Sequence, residues 1–157
     1  MQPPAPTRPI FLGDDRTGII QIGGGLPLDH PLSKGLTHAS TPAPVSVQTM
    51  TAGYTHDIDK CVAEIHKLTA AGADIVRVAV PEKKDTEALK EILSQTTVPI
   101  VADVHFHFKR ALESIEAGVH KIRLNPGNIT DRKQVEEVID ACKAANGGRG
   151  IPIRVGV

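Results

Sequence analysis

Asp103, His105 and His107 occupy every second position of the stretch VADVHFHF (101–108). On a strand, that spacing places an acid and two imidazoles on one face, with Val104 and Phe106 on the other. A strand flanked by helices is normally apolar on both faces, so the polar side calls for a role. Asp103 and His105 suit the orienting of a hydroxyl or the handling of a proton. Three arginines share the same setting, each inside an apolar run: Arg77 in DIVRVAV (74–80), Arg123 in VHKIRLN (119–125) and Arg154 in IPIRVGV (151–157). Guanidinium forks converging from separate strands suit phosphate or diphosphate oxygens, which they bind bidentately. Asn125 opens the turn Asn125-Pro126-Gly127-Asn128, whose backbone N–H groups are further candidates to face an anion.

These residues sit in a regular alternation that begins at Val45. VSVQTM (45–50), DIVRVAV, VPIVADVH (98–105), VHKIRLN and IPIRVGV have the composition of strands. Between them lie four segments with helical periodicity. Asp57 is placed to cap the first, whose apolar positions are Ile58, Cys61, Ile65 and Leu68. The second, over about 85–95, turns Leu89, Ile92 and Leu93 inward. Ala111, Leu112 and Ile115 mark a short third helix that stops at Gly118. Thr130 or Asp131 caps the fourth, which carries Val135, Val138, Ile139 and Cys142. AGADIVRVAVP (71–81) and AGVHKIRLNPG (117–127) resemble each other across two such units.

Strands alternating with single helices imply an α/β fold with a parallel sheet. An open, doubly wound nucleotide-binding sheet would want a phosphate loop after its first strand. The link TAGYTHD (51–57) has one glycine, and GGG (23–25) is followed by no helical pattern. The expectation is therefore a partial TIM (β/α)8 barrel of about five β/α units. Five strands cannot close a barrel, so residues 45–157 are expected to be the truncated N-terminal portion of one. Residues 1–44 hold eight of the 12 prolines. They are expected to form a largely irregular arm, disordered over 1–10, with a candidate short strand at 18–22.

Strand parity sorts the side chains. Val45/Val47, Val76/Val78/Val80, Ile100/Ala102/Val104, Ile122/Leu124 and Ile151/Ile153/Val155 should face the helices. The opposite sets should face the barrel axis: Ser46/Gln48/Met50, Ile75/Arg77/Ala79, Val101/Asp103/His105, Lys121/Arg123/Asn125 and Pro152/Arg154/Gly156. A barrel interior is ordinarily filled by branched apolar side chains. Charges there must pair, be solvated or meet a ligand. The polar positions also cluster toward the C-terminal strand ends, where barrel active sites lie.

Plainer readings stand beside the chemical ones. Arg77 and Asp103 also fit a buried ion pair between neighbouring strands. His107 fits an exposed loop. His56, His66 and His120 fit surface or satisfied structural histidines. Lys121, one layer deeper, is placed to pair with a neighbour, and PEKKDTE (81–87) fits a solvated helix start.

Composition excludes several classes. Lys and Arg total 18, Asp and Glu total 18, and the net charge is zero, so no basic field gathers nucleic acid. Aromatic residues make up 3%, too few for base-stacking platforms. No apolar run approaches a membrane span, and MQPPAPTRPIF lacks the apolar core of a signal peptide. The expected location is the cytoplasm. Cys61 and Cys142 lie far apart with no CxxC pair, which excludes a zinc ribbon or a cluster held by this chain alone. Both fall on apolar helix stripes and fit buried, inert thiols.

In order along the chain, VSVQTMT (45–51), AGADIVRVAVP, VPIVADVHF (98–106), KIRLNPGNI (121–129) and IPIRVGV closely resemble the N-terminal part of the 4-hydroxy-3-methylbut-2-enyl diphosphate synthase family. The resemblance covers 45–157 well and GIIQIGGG (18–25) weakly. Residues 26–44 are an insertion relative to that pattern, and Thr49 stands where serine is usual. The resemblance implies a barrel that binds 2-C-methyl-D-erythritol 2,4-cyclodiphosphate on the route to isoprenoids. It implies two-electron reductive ring opening and dehydroxylation by a [4Fe-4S] cluster bound outside residues 1–157, in a C-terminal iron-sulfur domain absent here. Ferredoxin or flavodoxin would supply the electrons. A homodimer is implied as well, one subunit's cluster domain closing over the other's barrel. Arg77, Asp103, His105, Arg123, Asn125 and Arg154 match the substrate-contacting positions of the family. No metal site and no catalytic residue is assigned within this chain, which is expected to be inactive alone. Two other readings remain open: a pterin-binding barrel related to dihydropteroate synthase, and a non-catalytic half-barrel that assembles with a partner piece.

Overall fold

The computed structural model describes residues 10–23, 45–105, 107–129 and 131–156. The expected arm over 1–9, the loop over 26–44, Phe106 and Thr130 lie outside the described residues. Five parallel strands form one sheet in chain order: β3 (Gln48–Met50), β4 (Ile75–Ala79), β5 (Ile100–Val104), β6 (Lys121–Leu124) and β7 (Ile153–Val155). Between them run α1 (Ile58–Ala70), α2 (Lys83–Gln95), α3 (Phe108–Ala117) and α4 (Arg132–Ala144). A doubly wound sheet reverses its strand order at a switch point. Here the order never reverses, which is the arrangement of a barrel wall.

Parity sets the packing. Val76, Val78, Val80, Ile100, Ala102, Val104, Ile122 and Leu124 share one core with Ile65, Leu89, Ile92, Ala111 and Val138 of the helices. That is the expected helix-facing set of three central strands. The outer strands depart from it. Val45 and Val47 precede β3 and are exposed, and Val155 is exposed on β7. Each lies at an edge of the sheet, where no further described strand shelters it.

The second core was not expected. Ile75 and Val101, at the inward-facing N-terminal ends of β4 and β5, pack against Leu12, with Ile20 and Ile22 beside them. These come from an antiparallel hairpin, β1 (Ile10–Asp14) and β2 (Gly18–Ile22). The strand at 18–22 is therefore present, and its partner starts at Ile10, inside the stretch expected to be disordered. Two apolar side chains at the floor of a barrel need an apolar lid, and the hairpin supplies it. Its turn is held by Asp14, whose Oδ1 accepts from the N–H groups of Arg16 and Thr17, each at 2.9 Å. Gly13 has φ +108°, and a Cβ there would meet the Gly18 carbonyl oxygen, so only glycine fits.

Two long-range contacts pin the hairpin. Arg16 Nη2 donates to the Leu93 carbonyl at 2.9 Å, at the end of α2. Nε2 of the buried His120 lies 3.2 Å from Asp14 Oδ2. The Ile100 N–H donates to His120 Nδ1 at 3.0 Å, so Nε2 carries the proton and donates to Asp14. His120 is thus a satisfied structural histidine.

The charge run 81–87 needs a correction. Asp85 is 2% exposed. Its carboxylate accepts from the Glu82 N–H at 3.1 Å, the His56 N–H at 3.1 Å and His56 Nδ1 at 2.9 Å. Rather than being solvated, it ties the loop after β3 to the start of α2. Asp57 stands at the N-cap of α1, but its side chain pairs with Lys60 at 2.6 Å rather than with the helix N–H groups. No described helix is long and apolar enough to cross a membrane.

Candidate functional site

The inward-facing residues at the C-terminal strand ends come together around one carboxylate. Asp103 is 2% exposed at the end of β5. Its Oδ1 accepts from Arg123 Nη1 on β6 at 3.1 Å, and its Oδ2 lies 3.4 Å from Arg77 Nε on β4. The same Oδ2 stands 3.8 Å from His105 Nε2, just beyond the strand. The ion pair between Arg77 and Asp103 is therefore present, and Arg123 joins it. One carboxylate serves two guanidinium groups.

Register explains the convergence. Ala79, Asp103, Arg123 and Arg154 are successive partners across β4 to β7, and Met50 pairs with Arg77 one layer deeper. Met50 Sδ sits 3.3 Å from Arg77 Nε and 3.2 Å from Nη2. This steers the guanidinium with a weak acceptor that brings no negative charge of its own. Arg154 lies beside Arg123 on β7 and is exposed. The guanidinium groups remain partly open to solvent, at 25% for Arg77 and 17% for Arg123, so a ligand can reach them.

The exit of β6 differs from expectation. Asn125 Oδ1 accepts from the Gly127 N–H at 3.0 Å, and the Asn125 carbonyl accepts from the Asn128 N–H at 3.1 Å. Both turn N–H groups are spent on Asn125 itself. The side-chain amide of Asn128 donates to the His105 carbonyl, which ties this turn to the end of β5. His107 is exposed at the N-cap of α3, outside the cluster.

Two contributors escaped the reading of the sequence. Met50 was placed inward but given no contact. Gly156 was placed inward as well, and it is the residue that makes room for Arg123. A Cβ there would stand 2.8 Å from Arg123 Nε. The available signal was a glycine on the inward parity, level with an arginine on the neighbouring strand.

The described residues show no fit to an iron–sulfur cluster of their own. Among the described residues no three His, Cys, Asp or Glu side chains stand together in a group able to hold a metal ion. Cys61 on α1 and Cys142 on α4 are both buried, and burial pushes each thiol up to about 11. That is the opposite of what a thiolate ligand requires.

A protein-family model described as the GcpE TIM-barrel domain matches residues 32–157. Curated relatives named 4-hydroxy-3-methylbut-2-en-1-yl diphosphate synthase (flavodoxin) include one from a Nitratiruptor species, 45% identical over 97% of this chain and 36% of that protein. Another, from Exiguobacterium sibiricum, is 55% identical over 72% of this chain and 30% of that protein. A third, from Rhodospirillum rubrum, is 53% identical over 73% of this chain and 29% of that protein. This chain spans about a third of the length of such relatives. Among solved structures, Xanthomonas albilineans dihydropteroate synthase aligns with a TM-score of 0.48 at 17% identity, over 68% of this chain and 40% of that one. That likeness is too distant to argue from. The match to the domain model covers most of the chain, and the chain belongs to the GcpE TIM-barrel family.

Proposed function

From that membership, we propose that the chain is the substrate-binding part of an enzyme that reduces 2-C-methyl-D-erythritol 2,4-cyclodiphosphate to 4-hydroxy-3-methylbut-2-enyl diphosphate. The overall change adds two electrons and two protons, opens the cyclic diphosphate and releases one oxygen as water. The observation that carries the reading is the cluster of Arg77, Arg123 and Arg154 on three strands of one barrel wall, with Asp103 placed between the first two. The cationic excess at the mouth suits a diphosphate.

Arg77 and Arg123 bind phosphoryl oxygens through their free N–H groups. Asp103 holds both side chains in place beforehand, so little ordering remains when the ligand arrives. His105 and Asn125 stand at the rim to meet a hydroxyl or a phosphoryl oxygen. The reducing electrons, by the names of the relatives, would come from flavodoxin. A [4Fe-4S] cluster would transfer them, and the described residues offer it no site. Assembly as a homodimer belongs to the same proposal.

Calorimetric titration of the 1–157 chain with the cyclodiphosphate tests the reading. Binding is expected, with loss of most affinity in Arg123→Ala. An unchanged affinity in that variant would overturn it. With reduced flavodoxin added, the chain alone is expected to form no product.

A further inference from the structure

Lys121 begins β6, two residues before Arg123 and on the same inward-facing side. It is 8% exposed, and across the sheet from it stands Val101. The partner expected for it is missing. Among the described residues, no hydrogen bond or ion pair reaches its ammonium. Burial pushes its pKa down, and nearby Arg154 pushes it the same way. Among the described residues, the buried side-chain atoms without a hydrogen-bond partner are Thr51 Oγ1 and Arg110 Nε, so the Lys121 ammonium keeps contact with solvent while its stem is buried. The fold thus keeps an unpaired cation one layer below Arg123, which pairs with Asp103 on the neighbouring strand.

The inward face of β4 to β7 thus carries Arg77, Lys121, Arg123 and Arg154 against the single carboxylate of Asp103. The step from Lys121 to Arg123 along the strand is about 6.6 Å, within the span of a flexible four-carbon stem with a compact charge at its end. We propose that Lys121 is an additional anion-binding residue, its ammonium approaching the bound diphosphate from the floor of the barrel while the arginines hold it at the rim. This rests on the reading of the mouth as a diphosphate site. An ammonium with a buried stem, no described partner and access to solvent on the inner face is free to meet an anion there.

Inorganic pyrophosphate is the probe, titrated calorimetrically into the 1–157 chain and its variants, with melting followed in parallel. Lys121→Met is expected to weaken pyrophosphate binding about tenfold while changing the melting temperature of the unliganded protein by no more than about 3 °C, since the ammonium it removes makes no contact that holds the fold. Lys121→Gln serves as a second variant should methionine pack poorly, with the same loss of binding expected. Lys133→Met, at an exposed position of α4, is expected to bind as the parent does. Parent-like affinity in both Lys121 variants, alongside loss in Arg123→Ala, overturns the role of Lys121 and leaves the site standing. Affinity unchanged in all of these variants, or no binding by the parent, overturns both. A lower melting temperature with unaltered binding marks Lys121 as structural and overturns the proposal.

Discussion

Gly156 lies against the guanidinium of Arg123, where a Cβ would stand 2.8 Å from Nε and 2.9 Å from Nη2. The two residues face inward from neighbouring strands, so the glycine is required by the arginine's space and not by its own backbone. The obstructed atoms belong to the far end of a flexible side chain. Gly156→Ala therefore moves Arg123 off Asp103 and leaves the strand intact. The expected result is a several-fold loss of pyrophosphate affinity with the melting temperature changed by no more than about 3 °C. Unaltered affinity would show that the position of Arg123 is not set by this contact.

Asp103 divides its carboxylate between Arg77 and Arg123. Asp103→Asn keeps the shape and removes the charge, which leaves two guanidinium groups to repel each other at close range. Both are partly solvated, so the cost is expected at the lower end for a broken buried pair, about 1–3 kcal/mol. An anion can then take the place of the lost carboxylate. Pyrophosphate should raise the melting temperature of Asp103→Asn by more than it raises that of the parent. An equal rise in both proteins would argue against a shared anion position.

The barrel wall was legible because its physics is local. Alternation put Val76, Val78 and Val80 outward and Arg77 inward, and the helices between strands announced themselves by spacing. Asp103, Arg77 and Arg123 could be brought together from parity alone, since register in a parallel sheet turns parity into proximity. The hairpin was not legible for the opposite reason. Its justification lies in Ile75 and Val101, more than fifty residues away from Leu12, and its first strand adjoins a proline-rich stretch. The turn GDDRTG (13–18) between two apolar runs was the signal available. Asp85 was misjudged because a charge run looks solvated until a loop such as the one carrying His56 folds over it. The solitude of Lys121 likewise exists only in three dimensions.

Leu12 is 2% exposed between the hairpin and the inner ends of β4 and β5. Leu12→Ala would open a cavity at the barrel floor and is expected to cost about 2–5 kcal/mol, measured by urea unfolding. A variant of parental stability would mean that the hairpin does not seal the floor.

His120 and Asp14 join the hairpin to the barrel, and their titration gives the joint a direction in pH. Burial disfavours charge on His120 and lowers its pKa below 6.5, although the bond to Asp14 opposes this. Burial pushes the Asp14 carboxyl up as well, but the Thr17 N–H, His120 and the Arg16 N–H outweigh it and bring it down to about 2 from 3.8. Both folded-state values are depressed, so both groups stabilise the fold above their unfolded values and lose that contribution as pH falls. For His120 the loss begins below about 6.5, when the unfolded chain takes a proton that the buried ring resists. For Asp14 it begins near 4 and runs toward 2. Unfolding free energy measured by urea should therefore fall between pH 7 and pH 5 in the parent. In His120→Gln it should start lower and fall less over the same interval, because that buried imidazole is gone. Parallel pH profiles for the two proteins would remove His120 from the account and leave the joint to Asp14 and Arg16.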